Sequence, residues 1–540
     1  MMKRLITATT TSVASAAVLV GFFSVVSRFL GLVRDRVLVQ AVGVGDTLDA
    51  YYAAFRVPDI LFQLLIMGTL SASFIPIFLK YWEKSQEKAW RYTNAMLTFA
   101  GGAFFVVSVF CAIFAPWIAS VVGWGFSEGK QILTADMLRV ILVSQCFFAV
   151  SMVFGSVLQA TRRFFIYSLA PIVYNVGIIL GAIFLVPIMG PWGIAWGTVL
   201  GAAMHAMLQS VGVYALGYAP RPVVTLESDV RNTFLHMGPR TLSLAVAQLN
   251  FLFMTTLAST LTEGSVTMLQ FAYNLNYFPI GIIAVSYAIA AFPALCDAVR
   301  TPGEATRSFK EVFSGTVRQL MFLMIPATVV FLLLRAQIVR LVLGAQNFSW
   351  EATVLTADAL AVFALSFCAQ GLIYVLVRGF FAMEKTAAPV LAALLGAACN
   401  VVLALILTPQ AGLIGLVGAF SISAILQCAL LWALLRVQAG HLGGRALVKS
   451  LMKTSAAAMG MAVGVQTAKY MLASMFPLTT FTGVLIQVLG ASAVGGLVYV
   501  GMSVLMKNEE CMAMITSVRA KMLRAATPKE VPAIDSSTSA

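Results

Sequence analysis

Val13-Ala14-Ser15-Ala16-Ala17-Val18-Leu19-Val20-Gly21-Phe22-Phe23-Ser24-Val25-Val26-Ser27-Arg28-Phe29-Leu30-Gly31-Leu32-Val33-Arg34-Asp35-Arg36 is the stretch on which the fold is decided. From Val13 to Ser27 every residue is apolar or small, as a membrane-spanning helix requires. Three arginines and one aspartate then follow within the same helix, which reads as running from about 12 to 42. A charge deep in a bilayer costs at least about 2.5 kcal/mol, so it faces a partner or a water-filled cavity. The excess here is positive. The pattern predicts an internal cavity prepared for an anion.

The rest of the chain extends this reading. Of its 540 residues, 60% are hydrophobic and only 10% charged, and the mean hydropathy is +0.93. Soluble domains carry about 25% charged residues. Apolar runs of spanning length recur along the chain, without the ten-residue alternation of a barrel. The expected fold is therefore an all-α polytopic membrane protein. Its fourteen spans read near 12–42, 47–79, 92–122, 132–160, 166–187, 191–216, 232–262, 265–296, 311–344, 352–382, 386–408, 411–435, 446–472 and 478–505.

The net charge of +14 is a topology signal before it is a nucleic-acid signal. Connections after even-numbered spans hold Lys80, Lys84, Lys88, Arg91, Arg300, Arg307, Lys310, Arg436, Arg445 and Lys449, whereas those after odd-numbered spans hold little beyond Lys130. The positive-inside rule places the even connections and both termini of this multi-pass chain in the cytoplasm. Met1-Met2-Lys3-Arg4 and the small residues after it resemble a secretory signal. The apolar run continues into the charged helix, so an uncleaved first span is the expectation. The seven cysteines are scattered, with neither a disulfide framework nor a zinc spacing.

The second half repeats the first. Thr134-Ala135-Asp136-x-Leu138-x-Val140-x-x-x-Ser144-x-Cys146 returns as Thr356-Ala357-Asp358-x-Leu360-x-Val362-x-x-x-Ser366-x-Cys368. Ala54, Phe74, Pro171 and Gly197 match Ala272, Phe292, Pro389 and Gly415 at a second fixed offset. A repeat of six spans is even, so both copies enter from the same side. Parallel repeats place substrate between two lobes that rock for alternating access. The expected units are an N-lobe at 1–222, a C-lobe at 223–440, spans 13 and 14 at 441–506, and a partly disordered cytoplasmic tail at 507–540.

Catalytic signals are weak, and neither a cofactor nor a metal is expected. The segment from Gly125 to Lys130 lacks the glycine spacing and hydroxyl of a phosphate loop. Arg28 and Arg34 are the anion candidates, because a guanidinium fork matches phosphate oxygens in a bidentate way. Asp35 can orient one of them, and Arg56 can join them from span 2. Arg36 reads instead as an interfacial anchor. Thr47 or Asp46 can cap span 2, with Asp49 in its first turn as the bland account of that residue. Pro58 should kink span 2, and Pro279 in span 8 is similarly placed, so the pair is a candidate for moving gates. Asp136 and Asp358 read as caps opening their spans. Gly193, Gly197 and Gly201, with Gly177 and Gly181, predict close helix packing. Asn400 stands alone in span 11, where a sodium ligand would want nearby carboxylates.

Ser27-Arg28-x-Leu30-Gly31-x-x-Arg34-Asp35, Asp49-Ala50-x-x-x-Ala54-Phe55-Arg56-x-Pro58 and Ser73-Phe74-Ile75-Pro76-Ile77 resemble the N-terminal signature of the MurJ (MviN) family. Ala272-Tyr273-Asn274-Leu275-x-x-Phe278-Pro279-x-Gly281 is similar to its eighth-span motif, and Gly238-Pro239 to the start of its seventh span. These proteins flip lipid II, a polyprenyl-pyrophosphate-linked glycopeptide, across the cytoplasmic membrane. They belong to the multidrug/oligosaccharidyl-lipid/polysaccharide exporter superfamily. The resemblance implies that Arg28, Arg34, Asp35 and Asp49 line or shape a central cavity whose arginines receive the pyrophosphate. It also implies a lipid-tail groove on the last two spans. The chain departs from the family pattern where Phe62-Gln63 replaces a basic pair, Asn274 an arginine and Met67 a glutamate. The expected partners are this lipid-linked substrate and membrane lipids, not nucleic acid, and the chain is expected to act as a monomer. A flippase for another polyprenyl-linked glycan and a cation-coupled small-molecule exporter are the alternatives.

Overall fold

The computed structural model describes residues 13–63, 70–223, 228–300 and 305–526. Met1-Met2-Lys3-Arg4, Met67 and the Pro/Ser/Thr-rich stretch from Thr527 lie outside the described residues. All secondary structure within them is helical: α1 (Val13–Val42), α2 (Asp46–Phe62), α3 (Leu70–Lys84), α4 (Gln86–Ile113), α5 (Ala115–Val122), α6 (Glu128–Ala160), α7 (Phe164–Leu180), α8 (Val186–Met189), α9 (Trp192–Tyr214) and α10 (Ser228–Ala258). There follow α11 (Ser265–Pro279), α12 (Val285–Arg300), α13 (Ala305–Leu333), α14 (Arg335–Leu343), α15 (Trp350–Ala364), α16 (Phe367–Ala382), α17 (Ala387–Ala439), α18 (Gly444–Met475), α19 (Phe481–Leu505) and α20 (Glu509–Ala526). Short π-helical stretches, Gly181–Leu185 and Ile280–Ala284, follow α7 and α11.

The helices sort by their packing. In the first part, α6 lies against α2, α3, α4, α5 and α9, and α7 lies against α1 and α9. In the second, α10 and α16 pack on α17, α15 on α11 and α17, and α12 on α13 and α16. The pair α18–α19 packs on itself and meets α13 and α14. The parts touch where α2 meets α11, α3 meets α10 and α1 meets α14.

The glycines expected to bring helices together do so. A Cβ on Gly177 would lie 2.2 Å from Gly201 Cα, and one on Gly181 would lie 2.2 Å from Gly197 Cα. Only hydrogen fits between α7 and α9 at these points. A straight helix of the 53 residues of α17 would be about 80 Å long, far more than one bilayer. It bends at Ala411–Gly412, where Gly412 adopts φ 55° and ψ −135°, a conformation that suits a residue without Cβ.

Among the described residues, eight helices are long and apolar enough to cross a membrane by themselves, or nine when the bent pair α15–α16 counts as one span. The two spans read at 386–408 and 411–435 are the two arms of α17, divided where Ala411 and Gly412 leave helical geometry.

Several local expectations are corrected. The helices α6 and α15 begin at Glu128 and Trp350, so Asp136 and Asp358 sit inside them rather than at their starts. Asp136 pairs with Arg139 at 2.7 Å and Asp358 with Arg335 at 3.2 Å, while Ser349 caps α15. Asn400 is not alone: its amide donates to Asn250 Oδ1 on α10 at 2.8 Å. Gly238-Pro239 lies within α10, which starts at Ser228. Past the last span, residues 509–526 form α20, whose first turn ties back through Glu509 and Glu510 to Arg318.

Candidate functional site

Arg34 and Asp35 are neighbours on α1, and their side chains meet in a 2.8 Å ion pair with Asp35 1% exposed. A carboxylate this buried needs its lone pairs filled. Arg34 Nε and Nη2 both donate to Oδ1, Tyr52 Oη donates to it at 3.4 Å, and Asn274 Nδ2 donates to Oδ2 at 2.8 Å. Arg34 Nη1 in turn donates to Asn175 Oδ1 at 3.1 Å. Beyond Asn274 the chain continues: Gln270 Nε2 donates to Asn274 Oδ1 at 2.7 Å, and Arg56 Nη2 donates to Gln270 Oε1. Arg56 also lies over the Phe251 ring, 4.3 Å from its centroid. One polar network thus joins α1, α2, α7 and α11. Arg56, on the next helix, is joined through it to Arg34 and Asp35.

Arg28 stands one step away. Its guanidinium lies over Tyr277, 5.1 Å from the ring centroid, and among the described residues no carboxylate pairs with it. Room for it comes from the segment after Pro279, where the helix changes to a π-helical stretch. There a Cβ on Gly281 would lie 2.5 Å from Arg28 Nη1. The proline breaks the regular ladder, and the glycine two residues on admits the guanidinium. Pro58 is different: it is buried inside α2, which runs on to Phe62. Gln63 bonds Asp59 and Gln248, and so tethers α2 to α10.

A cavity of about 190 Å³ opens between α1 and α11, lined by Arg28, Arg34, Asp35, Tyr273, Asn274 and Tyr277. It is the place where a bound anion would meet both arginines. Arg36 faces elsewhere, donating to Leu341 O at 2.8 Å and lying over the Phe481 ring, so it fastens α1 to α14 and α19.

Asp49 is not in this cavity. Its carboxylate accepts from Gly264 N and Thr267 N at 2.8 Å each, from Thr267 Oγ1 at 2.7 Å and from Lys130 Nζ at 2.9 Å. Its position in the first turn of α2 suggested a contact with that helix's own dipole, but its carboxylate caps α11, more than two hundred residues further along. Its own helix follows Gly45, with no side-chain cap from Asp46 or Thr47. The segment Gly125–Lys130 belongs to the same cluster: Gly125 N donates to Ser259 Oγ at 3.1 Å, and Lys130 pairs with both Asp46 and Asp49. Nearby, Asn347 Nδ2 donates to Gln40 O at 2.9 Å. These contacts join the ends of the two helical parts that the charge pattern places on the outer side.

Asn175, Gln270, Tyr52 and Tyr277 were not singled out from the sequence. Asn175 is a polar residue in an otherwise apolar helix, and Gln270 stands one turn before Asn274; both signals were there to be read. Among the described residues no group of three or more His, Cys, Asp or Glu could hold a metal.

Comparison with known proteins says which family the whole chain falls in. The family model for the lipid II flippase MurJ covers residues 38–488. The chain belongs to the MurJ family. A probable lipid II flippase MurJ of Thermotoga maritima is 29% identical over 401 residues, covering 74% of this chain and 80% of that protein. One of Bdellovibrio bacteriovorus is 27% identical over 483 residues, covering 85% and 89%. A solved lipid II flippase MurJ in an inward closed conformation superposes with TM-score 0.75 at 22% identity, over 91% of this chain and 99% of that one. An inward-facing MATE family transporter of the MOP superfamily shares the fold at TM-score 0.64 and 15% identity, over 77% and 95%. MurJ membership makes the chain an integral membrane transporter and not an enzyme. The position where the family pattern has an eighth-span arginine is held by Asn274, whose amide takes the free oxygen of Asp35.

Proposed function

We propose that this protein flips lipid II from the inner to the outer leaflet of the cytoplasmic membrane by alternating access, with the pyrophosphate held by Arg28 and Arg34. The observation that carries the mechanism is the pair of arginines on one wall of the α1–α11 cavity, Arg34 neutralised by Asp35 and Arg28 without a carboxylate. Phosphate oxygens would supply Arg28 with the counter-charge it lacks, and the network through Asn274 and Gln270 would bring Arg56 into register. The two helical parts act as lobes, 1–222 and 223–440, with α18 and α19 as the lipid-tail groove. The Asp49 contacts hold the outer side shut while the inner side loads, and the π-helical stretch after Pro279 is the element that yields on rocking. Both termini are cytoplasmic and the unit is a monomer. Purified protein in liposomes should move labelled lipid II between leaflets well above the rate of empty liposomes; equal rates would end this reading.

The neutral Asn274 favours one second reading, in which the lipid-linked glycan differs from that of lipid II. Mass spectrometry of the lipid that co-purifies separates the two.

A further inference from the structure

A second cavity, of about 440 Å³, lies within the first helical part and shares Arg28 with the cavity described above. That volume lies in the range of small-molecule sites, roughly 300–1,000 Å³. Apolar residues such as Phe23, Phe62 and Met152 form much of its lining; apart from Arg28 at one edge, its polar groups are serines, glutamines, a tyrosine and His205. His205 Nδ1 is 3.0 Å from Ser151 Oγ, and the imidazole stands edge-on to Phe148. Two lining residues are buried with a polar atom that has no partner, Ser168 Oγ and Gln209 Oε1, at 7% and 2% exposure. An unpaired buried polar atom is costly, so such atoms await a ligand or water. Neutral donors and acceptors beside an aromatic ring suit a hydroxyl-rich neutral ligand; an anion or cation would find no counter-charge here except Arg28.

We propose that this cavity is the subsite for the first sugar of the lipid-linked substrate. The inference rests on the reading that Arg28 holds the pyrophosphate. A sugar joined directly to that pyrophosphate can enter this neighbouring space from Arg28, and the space carries unpaired hydroxyl and amide groups. Ser168 donates to a sugar oxygen, Gln209 Oε1 accepts from a sugar hydroxyl, and Phe148 offers an apolar face. The subsite makes the glycan, and not only the pyrophosphate, a determinant of what is carried.

The test compares two probes on the purified full chain: a polyprenyl pyrophosphate bearing one N-acetylated sugar, and the bare polyprenyl pyrophosphate of the same tail. The intact protein should bind the glycosylated lipid about tenfold more tightly, the scale of one well-satisfied buried polar group. Gln209→Leu and Ser168→Ala should each shrink that preference and together abolish it, leaving the affinity for the bare lipid unchanged, which also reports that the variants are folded. Should Gln209→Leu fail to fold, Ser168→Ala alone carries the comparison. No preference in the intact protein, or a preference that survives the substitutions, overturns the subsite while bare-lipid binding upholds the pyrophosphate site. Binding of neither lipid overturns the pyrophosphate reading and the subsite with it.

Discussion

Asp35 gathers contacts from α1, α2 and α11. Its two oxygens receive Arg34, Tyr52 and Asn274, and it is almost wholly buried. Removing one partner of a buried ion pair leaves the other uncompensated, at a cost of about 3 kcal/mol or more. Asp35→Ala should therefore lower the melting temperature and lose transport together, whereas a residue that only bound substrate would lose transport alone. Asn274→Arg should be tolerated, because Asp35 Oδ2 already faces that position. It adds a cation to the cavity wall and should raise affinity for polyprenyl pyrophosphate about tenfold, read by titration. The charged residues of α1 were legible in the sequence because a charge among apolar neighbours declares itself. The role of Asp49 was not legible: its place in the first turn of α2 reads as a dipole contact, and nothing local to residue 49 says that α11 begins beside it. Long-range partners of that kind are set by how helices pack, and spacing along one helix does not contain them.

At the scale of elements, the change of winding after Pro279 is what makes room for Arg28. Gly281→Val would push its side chain into the guanidinium. Transport should fall several-fold with little change in melting temperature, since the displaced group lies at a cavity edge. Gly177→Leu acts differently, forcing apart two helices whose backbones nearly touch. It should depress folded yield, measured by fluorescence-detected size exclusion, without a specific effect on lipid affinity. Small-residue spacing made the α7–α9 contact readable in advance. Helix starts were less readable: Asp136 and Asp358 look like caps, yet α6 and α15 begin at least a turn earlier, and each aspartate instead pairs with an arginine. The division of α17 into spans at 386–408 and 411–435 agrees with the structure, where Ala411 and Gly412 leave helical geometry and separate two helical arms.

Across the whole molecule, the two helical parts meet on one side through Asp49, Lys130, Thr267, Gln40 and Asn347, and on the other where Tyr92 Oη lies 2.8 Å from Thr233 Oγ1. Alternating access requires one of these sets to open while the other holds. Asp49→Asn keeps the shape but removes the charge that Lys130 and the start of α11 complete. Cysteines placed on the outer ends of α2 and α11 should then react faster with a membrane-impermeant thiol reagent than in the otherwise intact protein. The general architecture, helical and polytopic, was legible from hydropathy and charge placement alone. The meeting of distant loops at one face was not, because each loop is short and unremarkable by itself. The account as a whole stands on Arg28 and Arg34 as the pyrophosphate receptor. Its most direct measurement is lipid II transport by the stably inserted Arg28→Ala, Arg34→Ala double variant in liposomes: the rate should fall to that of protein-free liposomes, and a rate equal to that of the unsubstituted protein would contradict it.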